Sequence, residues 1–243
     1  MPQDNASSDS ATSTAVASST SVALGPDTSA VLSTTGGGYT VTSLPVSNTP
    51  ATPEYTKSLV CTPSVPAETC TTIKQRAAAA AASISKNKLD VNAWIILGNM
   101  RKQAGDYTGA AAAWQYVSII SPTNIVSFNN LGDLYMNFLK DYPKAESNYL
   151  IQIKNKSDDA NAYRSLFTLY SELYKKGTSS AEDILKKGIV ANTKAIDLQV
   201  TLADYYKSQG RTAEAKAAYE AAIKSAQSQG QTSLAAQIQQ ETN

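Results

Sequence analysis

The chain has 243 residues, and its 21 basic and 20 acidic side chains give a net charge of +1, which argues against a nucleic-acid or membrane-surface binder that relies on bulk charge. It has no histidine and two cysteines, which removes the commonest general base and metal ligand and excludes a zinc site built from four cysteines of one chain. No run of apolar residues approaches the roughly 18 that cross a bilayer, so we expect no direct membrane span. The near-neutral charge and the lack of histidine lead us to expect no nucleic-acid partner and no catalytic, cofactor or metal site.

The first 60 residues are rich in serine and threonine and poor in charge. They contain 23 Ser or Thr and five charged side chains. Such a segment buries too little apolar surface to offset the cost of ordering its backbone, about 1–2 kcal/mol per residue. We therefore expect residues 1–63 to form a disordered, Ser/Thr-rich tail or stalk, and residues 64–243 to form the folded domain.

Two stretches of this tail have β-branched residues on either side of a glycine triplet. Ser29–Thr34 and Tyr39–Pro45 flank residues 36–38. This pattern favours a hairpin, which is barely stable in water when it is isolated. A hairpin, or a strand that pairs with another chain, is therefore the alternative to disorder.

The beginning of the chain lacks the basic segment and the apolar run of a secretory signal. This leaves two localisations open. The protein is cytoplasmic as the sequence stands, or it belongs to the cell envelope or another extracytoplasmic site if a leader has been removed. A Ser/Thr-rich stalk beside a folded domain is more typical of the second case.

Cys61 and Cys70 lie nine residues apart and enclose Pro63 and Pro66. We expect a small disulfide loop that ties the tail to the first helix, with two free thiols as the alternative. Closing so short a loop stabilises a fold by roughly 2–3 kcal/mol in the chain-entropy model, provided that the compartment is oxidising.

The remainder of the chain has a helical composition with a repeated pattern. Residues 66–85, which include a run of alanines, predict a helix ahead of the repeats, and Thr232–Gln240 predict a polar helix after them. Between them, apolar, aromatic and small residues recur about every 35 residues. The leucines are Leu97, Leu131, Leu166 and Leu202; the aromatics are Trp94, Phe128 and Tyr163; the alanines are Ala110, Ala145, Ala181 and Ala215.

These motifs resemble the tetratricopeptide repeat (TPR) family. The first repeat matches at nearly every point, with Trp94, Leu97-Gly98, Gly105-Asp106-Tyr107, Ala110, Trp114 and Pro122. In the third repeat Phe167 replaces the small residue, and in the fourth Gln199 replaces the aromatic anchor. The resemblance implies an all-α, right-handed helical solenoid of about four helix pairs with flanking helices.

The physical reason for the period is that each helix pair exposes an apolar face that only its neighbours can bury. The aromatic anchors are expected inside, and Gly98 and Gly132 at close helix contacts. Gly105 and Gly210 are expected in left-handed helix ends. Asp106 and Asp141 are expected to cap the following helices, and Ser179 with Glu182 has the spacing of a capping box.

The resemblance also implies a ligand groove lined by the first helix of each pair. Because asparagine both donates and accepts hydrogen bonds, such a surface suits the backbone of an extended peptide. A merely solvated helix face is the alternative. The candidate groove residues are Asn92, Ile95, Asn99, Lys102, Asn129, Asn130, Asp133, Asn137, Asn161, Arg164, Thr168 and Asp204.

Some TPR domains clamp the terminal carboxylate of a peptide with two asparagines and several basic residues. Asn99 and Asn130 match the two asparagines, but Ile95, Asn161 and Ser165 stand where the basic residues are needed. Because a buried carboxylate needs charge-assisted donors, the sequence argues against such a clamp.

We therefore expect a non-catalytic scaffold that binds a protein or peptide segment in its concave groove. The alternative is a structural protein of a cell envelope or surface, in which the tail acts as a stalk or assembly arm. An enzyme built on a carboxylate pair such as Asp133 with Asp204 has no supporting motif.

Overall fold

The computed structural model describes residues 19–25, 28–35, 38–43 and 51–242. The chain divides into two compact units, residues 1–49 and residues 50–243. In the first unit, three strands form an antiparallel sheet in the order in which they follow one another along the chain. They are β1 (Ser19–Gly25), β2 (Thr28–Thr35) and β3 (Gly38–Ser43).

The sheet corresponds to the hairpin alternative and extends it. Strands β2 and β3 cover the two stretches around the glycine triplet, and Val31 pairs with Thr42 across them. Strand β1 adds a third strand that the sequence pattern did not indicate. The other residues of the tail up to Pro50 lie outside the described part of the chain.

The second unit is helical from residue 67 onward. Consecutive helices pack against each other as pairs, α2 with α3, α4 with α5, α6 with α7, and α8 with α9. The predicted all-α solenoid of helix pairs with flanking helices is confirmed. Among the described residues, no helix is long and apolar enough to cross a bilayer. The helices are α1 (Ala67–Lys86), α2 (Val91–Ala104), α3 (Tyr107–Ile120), α4 (Ile125–Leu134), α5 (Tyr142–Asn155), α6 (Ala160–Thr168), α7 (Ser180–Ala191), α8 (Ile196–Ser208), α9 (Thr212–Ser228) and α10 (Thr232–Glu241).

Most of the predicted helix caps are formed. The carboxylate of Asp106 accepts the Gly109 N–H at 2.9 Å, and that of Asp141 accepts the Lys144 N–H at 3.2 Å. Gly105 ends α2 with a φ of 89°, a conformation that costs glycine little. The predicted capping box at Ser179 is wrong, because Ser179 makes no side-chain cap and the Glu182 carboxylate binds other partners.

The first helices of the second and third pairs end in π-helical turns. These turns span Tyr135–Leu139 and Leu169–Leu173. A π-turn accommodates one more residue than an α-helical turn, which explains the 35-residue spacing between Leu131 and Leu166. The 36-residue spacing between Leu166 and Leu202 also reflects the longer connection, residues 174–179, between the helices of the third pair. After the first π-turn, Lys140 takes the left-handed conformation with a φ of 56°, at the place where the first pair has glycine.

The aromatic anchors form the seam between the helices, as predicted. The exposed fraction is 0% for Trp94, 6% for Phe128 and 4% for Tyr163. Apolar side chains of this size are worth about 1.5–3 kcal/mol each when they are fully buried. The seam therefore supplies much of the energy that holds one helix pair to the next.

Close helix contacts depend on small residues, but not on the same helix in every pair. A Cβ on Gly132 of α4 would lie 2.5 Å from a ring carbon of Tyr149. In the third pair Phe167 stands at the corresponding place, and the small residue is instead Gly188 of α7, whose Cβ would lie 2.7 Å from the ring of Tyr163. The glycine that lets the two helices approach closely is therefore on the first helix in the second pair and on the second helix in the third pair.

Residues 54–62, here called the strap, lie without helix or strand against the beginning of the helical unit. Leu59 is buried, and the Tyr55 ring meets Trp94 edge-on with centroids 5.7 Å apart. Nη2 of the buried Arg101 donates to the Glu54 carbonyl at 2.8 Å. The division between the two units at residue 49 therefore lies earlier than the predicted boundary after residue 63, since the strap packs with the helices.

The predicted disulfide between Cys61 and Cys70 is present and closes the loop between the strap and α1. Within that loop, the Thr62 N–H donates to the Ala104 carbonyl at 2.9 Å. The covalent link and this hydrogen bond fix the strap at both α1 and α2. Disulfides of this kind persist in oxidising compartments.

Successive helix pairs are also joined by side-chain amides at the ends of the second helices. Asn155 Nδ2 donates to the Pro122 carbonyl at 2.8 Å, and Asn192 Nδ2 donates to the Asp158 carbonyl at 2.7 Å. Each bond spans one repeat and satisfies a turn carbonyl that has no helical partner. These amides are part of the repeat that the sequence motifs did not reveal.

Candidate functional site

The twelve candidate groove residues lie on the first helices of the four pairs, and none of them is in the buried core. Five are exposed and the other seven are half-buried, so all of them remain available to a ligand. The exposed residues are Asn92, Asn137, Asn161, Arg164 and Asp204; the half-buried residues are Ile95, Asn99, Lys102, Asn129, Asn130, Asp133 and Thr168.

Five of these residues form two hydrogen-bonded groups between the first helices of the first two pairs, together called here the α2–α4 polar cluster. Asn130 Nδ2 of α4 donates to Asn99 Oδ1 of α2 at 3.4 Å. Lys102 of α2 forms an ion pair with Asp133 of α4, and Asn137 Nδ2 donates to Asp133 Oδ1 at 2.6 Å. The cluster joins the first two helix pairs and presents amide and charged groups side by side.

An aromatic pair borders this cluster. The Lys102 ammonium lies 4.9 Å from the centroid of the Phe138 ring, and the Tyr107 ring lies 4.7 Å from the same ring. Phe138 is 41% exposed although it is a large apolar side chain. Phe138 was not among the predicted groove residues. The second repeat has one extra residue ahead of its turn, which the π-turn accommodates, and this extra residue is the signal that could have identified Phe138.

A second, smaller polar group joins the third and fourth pairs. Arg164 Nη1 of α6 donates to Asp197 Oδ2 of α8 at 2.8 Å, and its Nη2 donates to the Asn161 amide oxygen. Asp197 was not among the predicted residues. Both charged side chains are about half exposed, and such an ion pair contributes at most about 1 kcal/mol to stability, so a ligand can displace it at low cost.

The other predicted residues do not enter these groups among the described residues. Asn92, Asn129 and Thr168 lie on the same helices without joining either network. Ile95 packs against the core. The Asp204 carboxylate accepts the Tyr219 hydroxyl from the second helix of its own pair.

A third set of charged residues serves the fold instead of the groove. The Glu182 carboxylate of α7 accepts the Tyr206 hydroxyl at 2.9 Å, Arg211 Nη1 at 2.5 Å and Lys186 Nζ at 2.6 Å. One pair earlier, Glu146 accepts the Tyr170 hydroxyl at 2.5 Å. In both cases a tyrosine on the first helix of one pair donates to a carboxylate on the second helix of the preceding pair. This repeated contact between pairs is here called the clamp.

The Glu182 clamp predicts a defined pH dependence of stability. Hydrogen bonds from Arg211 and then Lys186 lower the pKa of the Glu182 carboxyl from 4.5 to about 2. A depressed folded-state pKa stabilises the fold above the unfolded pKa, and this contribution is lost as the pH falls from about 5 through about 2. Because Arg211 and Lys186 are partly exposed, we expect solvent screening to limit the contribution to about 1–2 kcal/mol.

We therefore expect Glu182→Gln to reduce the free energy of unfolding by about 1–2 kcal/mol at pH 7. The difference from the wild type should shrink as the pH approaches 2. Urea unfolding followed by circular dichroism at several pH values measures this, with Glu220→Gln on the exposed face of α9 as the control. A difference that stays constant between pH 7 and pH 2 would contradict the role of ionised Glu182.

The sequence matches one family description directly. Residues 196–229 match the tetratricopeptide repeat, and this range takes in all of α8 and α9. The sequence matches no curated protein. Tetratricopeptide repeats build interaction surfaces from stacked helix pairs.

Solved structures resemble the chain in fold. A crystal structure of MamA is 16% identical, with a TM-score of 0.52 over 63% of this chain and 88% of that one. YrrB, described as a TPR protein with an unusual peptide-binding site, is 16% identical, with a TM-score of 0.47 over 60% of this chain and 74% of that one. TTC0263, a thermophilic TPR protein of Thermus thermophilus, is 19% identical, with a TM-score of 0.45 over 70% of this chain and 88% of that one. Residues 196–229 match the tetratricopeptide repeat, and the chain shares the fold of the MamA structure.

Proposed function

We propose that the protein is a non-catalytic scaffold that binds an extended peptide or protein segment along the row formed by α2, α4, α6 and α8. The observation that carries this proposal is the α2–α4 polar cluster. Its amides and charges are accessible, and they lie beside the exposed ring of Phe138. A surface that combines hydrogen-bonding amides with an aromatic contact suits an extended chain, because the amides match its backbone and the ring packs on a side chain.

The amide pair supports backbone recognition. Asn99 and Asn130 share one hydrogen bond at 3.4 Å, which is long for an N–H···O bond. Each amide also has further donor and acceptor capacity. A peptide group can therefore take the place of this weak contact, and both amides then gain better geometry.

The charges indicate a neutral or mixed-charge ligand. Lys102 is neutralised by Asp133, and Arg164 by Asp197. Recognition of a free terminal carboxylate needs unpaired cations at the clamp positions, where the chain has Ile95, Asn161 and Ser165. We therefore propose that internal segments are bound and that a free C-terminus is not required.

Selection of peptides from a random phage-displayed library on the full chain tests this proposal. A selected peptide should bind Asn99→Ala/Asn130→Ala at least about 10-fold more weakly, since each lost hydrogen bond is worth about 1 kcal/mol. Fluorescence anisotropy with the synthetic peptide measures the affinity, and Gln75→Ala/Gln227→Ala, with exposed amides on α1 and α9, is the matched control.

Two results would overturn this assignment. One is equal affinity of the selected peptides for the asparagine variant and the control. The other is a strict requirement for a free carboxylate, measured as loss of binding when the peptide C-terminus is amidated. Binding that is indifferent to amidation and lost in the asparagine variant supports internal-segment recognition.

A further inference from the structure

The clamp between helix pairs is not continued at α9, the last of the second helices. The clamp carboxylates of Glu146 and Glu182 each come one residue after a repeated alanine, and Lys216 stands at that place in α9. The clamp tyrosines each come four residues after a repeated leucine. In α10, Ile238 is buried at the place of the leucine, and Thr242 stands at the place of the tyrosine. The charge at the clamp position is therefore reversed in α9.

An open groove lies beside Lys216, between α9 and α10. Its volume is about 770 Å³. Since a cavity of about 150 Å³ is enough to hold a benzene ring, the groove has room for several side chains. The residues that line it include Lys216, Glu220, Ile223 and Lys224 of α9 and Gln239 and Thr242 of α10.

The same stripe on the preceding second helix faces another helix. Glu220, Ile223 and Lys224 of α9 correspond to three residues of α7 that lie 34 positions earlier. Those three residues share a groove with Ala218 and Ala221 of α9. The stripe on α7 is thus faced by a second helix, whereas the helices described in this chain end with α10 and provide none for the stripe on α9. A helical segment is therefore the shape that fits this groove.

The groove carries an excess of positive charge. Three lysines line it, Lys207, Lys216 and Lys224, and Glu220 is the one acidic residue of its described lining. The side chains of Lys216 and Lys224 make no ion pair or hydrogen bond with the described residues. The helix at the other end of the array, α1, has three basic residues and one acidic residue, so a second copy that stacked head to tail through α1 would be repelled. The charge favours an acidic occupant instead.

We propose that this groove docks an acidic amphipathic helix of a partner protein. The helix takes toward α9 the place that α9 takes toward α7, with small apolar side chains over Ile223 and carboxylates against Lys216 and Lys224. These two lysines are eight residues apart, which is about 12 Å along the helix, so carboxylates about two turns apart reach both. A carboxylate at Lys216 forms the clamp with its charges exchanged. None of the twelve candidate groove residues lines this site, so it is independent of the proposed peptide groove.

Two peptides derived from α9 test this proposal on the full chain. The acidic peptide has the 17 residues of α9 with Lys216→Glu and Lys224→Glu, and the basic peptide has the same residues with Glu214→Lys and Glu220→Lys. We expect saturable binding of the fluorescein-labelled acidic peptide in fluorescence anisotropy and at least about 10-fold weaker binding of the basic peptide. Because salt screens exposed charges, the acidic peptide should bind several-fold more weakly in about 0.5 M salt than in about 0.05 M salt.

Variants of the full chain assign the binding to the groove. Lys216→Ala/Lys224→Ala should weaken the acidic peptide at least about 5-fold, and Lys216→Glu/Lys224→Glu should bind the basic peptide in preference to the acidic one. The second result also shows that this variant is folded. Lys187→Glu/Lys194→Glu makes the same change in net charge at exposed positions outside the groove and should retain the acidic peptide.

Three results would overturn the proposal. The first is equal affinity of the wild type for the two peptides, and the second is undiminished binding of the acidic peptide to Lys216→Ala/Lys224→Ala. The third is equal loss of the acidic peptide in both lysine-to-glutamate variants, which would indicate attraction by the net charge of the chain alone. Asn99→Ala/Asn130→Ala should bind the acidic peptide like the wild type, so the outcome for this site does not depend on the outcome for the peptide groove.

Discussion

Trp94→Ala is expected to reduce the free energy of unfolding by about 3–5 kcal/mol, as for other fully buried aromatic side chains. Trp94 has no exposed surface and packs against Tyr116 of α3 and Tyr55 of the strap. Its Nε1 also donates to the Lys88 carbonyl at 2.8 Å. The substitution therefore removes ring contacts with α3 and the strap and leaves the Lys88 carbonyl without this donor.

Urea denaturation followed by far-ultraviolet circular dichroism measures this loss. Leu89→Ala is the matched control, because Leu89 is 54% exposed and lies just ahead of the same helix. It should cost less than about 0.5 kcal/mol. A loss below about 1 kcal/mol for Trp94→Ala would mean that Trp94 is not part of the seam between helix pairs.

Gly98→Val is expected to cost about 2–3 kcal/mol or more, because it overpacks a tight helix contact. A Cβ at this place would lie 2.3 Å from Nε1 of Trp114, and Trp114 has no exposed surface. Trp114 cannot move aside without disturbing α3, since its Nε1 donates to the Ile95 carbonyl at 3.3 Å. The two helices would have to separate to admit the valine.

A double-mutant cycle separates this clash from the low helix propensity of valine. Gln103→Val places the same residue at an exposed position of α2 and should cost only a few tenths of a kcal/mol. In a Trp114→Leu background, Gly98→Val should cost at least about 1 kcal/mol less than in the wild type, because the ring it meets is gone. Additive costs in the cycle would show that Trp114 does not restrict Gly98.

The candidate site was only partly predictable, as the asparagines and Phe138 illustrate. Register along the repeat placed Asn99 and Asn130 on adjacent first helices, and they contact each other. The side-chain direction of Phe138 depends on the π-turn in which it lies; the extra residue of the second repeat indicates such a turn but not the direction of this side chain.

The sequence by itself determined the helix pairs, their period and the disulfide. These features rest on local contacts and on residue types whose preferences are nearly independent of context, such as glycine at a left-handed helix end. Only the tertiary structure shows that the strap packs on Trp94 and that the small residue of the third pair is Gly188. It alone also shows that Glu182 accepts the Tyr206 hydroxyl of the next pair. The reason is that each of these depends on which side chains meet across a helix interface, and steric fit between distant segments, not local preference, selects those partners.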